Sequence, residues 1–72
     1  MSIYLISIYL MLPGQAAPAQ ELQRHLLTAS SASVCQFHAD KMAEQQRAAN
    51  YATVDRLRAT VVGVCVQKGT TT

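Results

Sequence analysis

The chain has 72 residues, a formal charge of +2 from six Lys or Arg against four Asp or Glu, and an apolar half. That length allows one small domain with a modest core, a size at which many folds need a staple. The charge is small and interleaved in sign, which excludes the basic, aromatic-studded stripe of a nucleic-acid binder.

Residues 1–20 carry no charged side chain, and every charged residue lies between Glu21 and Lys68. Ile3 to Leu12 is an apolar run, Pro13-Gly14 interrupts it, and Ala17-Pro18-Ala19 supplies an A-x-A pattern of small residues. This order predicts a signal-peptide-like leader over 1–19, cut after Ala19, although no Lys or Arg stands near Met1. Two other readings fit the same run. It is too short to span a bilayer as a helix, which takes about 20 residues, but it could anchor at a membrane surface. Its β-branched and aromatic content also suits a buried strand.

After the leader the pattern predicts helices through a domain over residues 20–68. Pro18 suits a first helical position, Glu21 a first turn, and Leu22, Leu26 and Leu27 recur at helical spacing. Ser33-Val34-Cys35-Gln36 matches a capping box, and helix formers follow to Ala49. Cys35, Ala39, Met42, Gln46 and Ala49 make one stripe on that helix. Val54, Leu57, Val61 and Cys65 make another, with Thr53 as its cap. Residues 60–66 are β-branched enough to be a strand, but the period running on from Val54 favours a helix. Residues 69–72 read as a disordered tail.

The two cysteines join these pieces. They lie symmetrically about Asn50, a residue that tolerates turn conformations. A reversal at Asn50 makes an antiparallel helical hairpin with Cys35 beside Cys65, closed by a disulfide if the chain is exported. A single continuous helix is the rival, because no Gly or Pro falls between Ala19 and Val62. It would hold the cysteines about 45 Å apart.

His25, Cys35, His38 and Cys65 are the only His and Cys residues, and Cys35 to His38 has a C-x-x-H spacing suited to half a zinc site. The same two residues could in principle form a nucleophile pair, but no oxyanion donors or orienting acid can be read around them. No catalytic residue, metal or cofactor is therefore assigned. The expectation is an all-α exported protein, periplasmic or secreted: a short helix followed by the hairpin. It would act on another protein as a binding, inhibitory or assembly factor through a helix face. Leu22, Leu26, Leu27 and Phe37 are the candidate partner-binding residues. Alternatives are an uncleaved, membrane-associated subunit of a larger complex, held by Ile3 to Leu12, and a small zinc-binding helical protein. Nucleic acid is not an expected partner, and oligomeric state stays open.

Overall fold

A computed structural model describes residues 1–70. The elements in chain order are strand β1 (Ser2–Met11), strand β2 (Gln20–Ala29), helix α1 (Ala32–Ala49), helix α2 (Tyr51–Leu57) and strand β3 (Thr60–Thr70). The strands form one antiparallel sheet in the order β2-β1-β3, so the N-terminal strand is central.

The apolar run makes β1 because β-branched and aromatic side chains fit a pleated strand that is paired at both edges. Tyr4, Ile6, Ile8 and Leu10 alternate along one face and are buried. Pro13-Gly14 then turns the chain. Gln15 N–H donates to Leu12 O at 3.3 Å, and Gly14 sits at φ 75°, the left-handed angle that a turn with proline one place earlier requires. Ala19 N–H donates to Leu10 O at 2.9 Å and starts the return strand. Two bulges adjust the register. Leu22 is extra opposite Ile8 and Tyr9, and Lys68 is extra opposite Ile3 and Tyr4.

Helix α1 begins at Ser31, whose hydroxyl accepts from Val34 N–H at 3.3 Å. It packs on the face of the sheet that carries Tyr4, Ile6 and Ile8, and most closely on β3. Cys35, Ala39 and Ala43 are its buried residues. Cys35 is bonded to Cys65 of β3, with Cα atoms 6.3 Å apart. Two residues earlier on β3, Gly63 lies against the backbone of Ala39. A Cβ added to Gly63 would stand 2.5 Å from Ala39 O and 2.8 Å from its carbonyl carbon. Gln36 fastens the same contact by donating to Gly63 O at 3.1 Å. Ile6 and Ile8, fully buried beneath α1, each contribute roughly 1.5–3 kcal/mol by leaving water.

The architecture corrects the all-α expectation. Residues 20–29 are a strand, and so is the stretch 60–66, where the period running on from Val54 predicts a helix. Pro18 precedes an edge strand and opens no helix. Asn50 does not reverse the chain. It links α1 to α2, and its side-chain amide donates to Gln46 O at 2.8 Å. The reversal comes at Arg58, which ends α2 in the left-handed region at φ 51° and ψ 38°. Ser31 caps α1 in place of Ser33, and Thr53 falls inside α2. Val61 and Cys65 share a face of β3 and do not continue the stripe of Val54 and Leu57. Gly69 and Thr70, expected in the tail, belong to β3, while residues 71 and 72 lie outside the described residues.

The close contact predicts that Gly63→Ala, which forces backbone apart, lowers unfolding free energy by about 1–3 kcal/mol. Urea denaturation of the oxidised protein measures this, and an unchanged midpoint would rule out the contact. Replacing both Cys35 and Cys65 by Ala removes a constraint across a separation of 30 residues and is expected to lose about 3–4 kcal/mol on the loop-entropy model. The same titration, with and without reductant, checks it: the wild type should fall towards the double variant when reduced, and the variant should not respond.

Candidate interaction surface

Alternation along β1 places a second set of side chains on the face turned away from α1: Ile3, Leu5, Ser7, Tyr9 and Met11. Register carries that face onto the neighbours. On β2, Leu26 stands opposite Leu5, Arg24 opposite Ser7 and Glu21 opposite Tyr9. On β3, Val66 stands opposite Leu5, Val64 opposite Ser7 and Val62 opposite Tyr9. Among the described residues no helix lies on this side. Leu26 is 62% exposed, Val66 46% and Val64 40%.

This open face is apolar across β1 and most of β3, and its charge is gathered at β2. Arg24 Nε donates to Glu21 Oε1 at 2.7 Å, and Arg24 Nη2 donates to Oε2 at 3.0 Å. Hydrogen bonding to Arg24, reinforced by the nearby positive charge, holds the Glu21 carboxyl below its ordinary range. The same pairing raises Arg24. Both groups are solvent-exposed, so water screens the attraction and the pair counts for its neutrality more than its energy.

The residues singled out from sequence separate in space. Cys35 and Cys65 are joined as expected, but across a helix–strand contact and not a helix pair. Of the four candidate partner-binding residues, only Leu26 lies on the open face. Leu22 and Leu27 are half-buried against the core, and Phe37 is exposed on α1. The Phe37 ring carries Lys41 Nζ 5.0 Å from its centroid and meets His38 edge-on at 5.9 Å. Ala17 and Ala19 are exposed in the β1–β2 connection. Ile3 to Leu12, weighed as leader, anchor or strand, supplies β1 and the residue after it.

The proposed zinc set loses its thiolates, because both cysteines are consumed in the disulfide. Among the described residues no three His, Cys, Asp or Glu side chains gather as metal ligands. The Cys35–His38 nucleophile pair loses its thiol for the same reason. Beside Gly63, an open groove of about 430 Å³ is walled by Asp40, Glu44 and Arg47 of α1. No helix among the described residues is long and apolar enough to cross a membrane.

Leu5, Tyr9, Val64 and Val66 were missed as surface residues. The signal for them was present: β1 is apolar at both odd and even positions, which marks a strand covered on both faces. No protein-family model matches this chain, and no curated protein or solved structure matches it.

Proposed function

We propose that this chain is a small, disulfide-closed binding or assembly protein of an oxidising compartment, periplasmic or secreted, which works by placing its open sheet face against another protein chain. The observation that carries this reading is the two-faced apolar pattern of β1. An antiparallel sheet with one wet face ordinarily alternates apolar and polar residues. Here Ile3, Leu5, Tyr9 and Met11 continue the apolar pattern on the side that α1 leaves open. With Leu26, Val64 and Val66 they make a contiguous patch of the kind that marks contact sites.

The disulfide supports the compartment, because such bonds persist where the surroundings are oxidising. The topology bears on the leader. Both other strands pair only with β1, so removing residues 1–19 would leave β2 and β3 without a partner. In this reading the working protein keeps its N-terminus. Binding, and not catalysis, is its activity, and the contact surface is the sheet and not a helix face.

A photo-crosslinking residue placed at Val64, and separately at Arg56 on α2, tests the reading in cells that make the chain naturally. Adducts to a protein are expected from Val64 and not from Arg56. Intact mass under non-reducing conditions should show the disulfide and a chain that still begins at its N-terminus. Adducts from Arg56 alone, or a product starting at Gln20, would refute the proposal.

A further inference from the structure

We infer that the chain covering the open face is a second copy of this one, so that the protein is an isologous dimer with two sheets packed face to face between outer helices. This rests on the preceding reading of the face and names its occupant.

Size comes first. Three strands about 4.8 Å apart, each running about ten residues at roughly 3.3 Å per residue, give a platform near 14 by 33 Å. Two such platforms amount to about 900 Å² of flat area before side-chain relief is counted, close to the roughly 1,000 Å² at which specific pairs begin. The described residues do not cover this area themselves. Residues 1–70 are spent on the three strands, on two helices that leave the face open, and on short connections.

Charge points the same way. A face that carries one sign repels its own copy. Here Glu21 and Arg24, opposite Tyr9 and Ser7 on the face, neutralise each other within the chain. β1 presents no charge, and Val62, Val64 and Val66 present none from β3. At the centre stands Ser7, small and buried between its neighbours. A two-fold axis passing beside Ser7 lets the central strands approach closely, with the sheets aligned within about 30°. The flanking Leu5 and Tyr9 of each copy then fill the space on either side.

Sedimentation equilibrium of the oxidised full-length chain, from low to high micromolar concentration, should give twice the chain mass. Leu26→Lys and Val64→Lys, each placing charge in the seam, should each weaken association at least tenfold. Leu26 is exposed on an edge strand, so its variant is expected to keep the far-ultraviolet circular dichroism of the wild type. Arg56→Glu should leave the dimer unchanged. A photo-crosslinking residue in place of Val64, in a purified chain that keeps the wild-type circular dichroism, should join open-face residues of two chains. A monomer throughout the concentration range overturns the second copy. If Val64 still captures a different protein in cells, the open face stands as a contact surface with another occupant. A dimer that survives both lysine variants, with no linkage between the faces, also overturns the second copy, and absence of any Val64 adduct in cells overturns the reading of the face as well.

Discussion

The contact between α1 and β3 holds the two layers of this protein together, and its geometry is a match of periods. Four residues of helix rise about 6.0 Å, and two residues of strand about 6.6 Å. Cys35, Ala39 and Ala43 therefore descend α1 nearly in step with Cys65, Gly63 and Val61 on β3. The first pair is a covalent bond, and the second is backbone against backbone. Ala43 and Val61 line the groove beside it. Small residues on the helix are what let it come so close, and Gly63 is the place where no side chain fits. In a chain this size a disulfide worth a few kcal/mol is a large part of the net stability.

That seam explains why one face of the sheet is dry and the other is not. α1 is anchored to an edge strand by small side chains, so it lies low over β3 and β1. Its larger neighbours Met42, Leu22 and Leu27 close the sides of the core. The side-chain volume of the one long helix is spent on Tyr4, Ile6 and Ile8. Short α2 contributes no buried residue. The described residues build two layers, while the central strand is apolar on both faces.

The cysteine pairing and the main helix were legible in the sequence, and the strands on either side were not. Helix α1 was expected from Val34 to Ala49 and spans Ala32–Ala49, with Cys35 and Ala39 on its buried stripe. The failures share one cause: a spacing of four residues fits a helix face and is also a multiple of the strand period. Val61 and Cys65 therefore looked like successive helical turns, although they lie two steps apart on one face of β3. Gly63 between them was the discriminating residue. A glycine costs a helix interior about 1 kcal/mol, and in a strand it marks a close backbone approach. Leu22, Leu26 and Leu27 misled in the same manner. The bulge at Leu22 puts it with Leu27 on the core side and leaves Leu26 on the other. The reversals were hidden as well, because neither Ser30-Ser31 nor Arg58 carries the Gly or Pro that usually announces one.

The apolar opening of the chain shows how composition alone leaves location open. A run of branched and aromatic residues ending in Pro-Gly points first to an export leader but suits a central strand too, because both need apolar length and a break. What separates them is the partner. A leader needs only a channel or a lipid phase, whereas a central strand needs two sequences elsewhere able to pair along its whole length. The segments 20–29 and 60–70 are each long enough to do so, and both bring Leu or Val to the two faces that β1 already makes apolar. The strand is thus specified jointly by three separated segments, and among the described residues its second apolar face is left uncovered by the two helices.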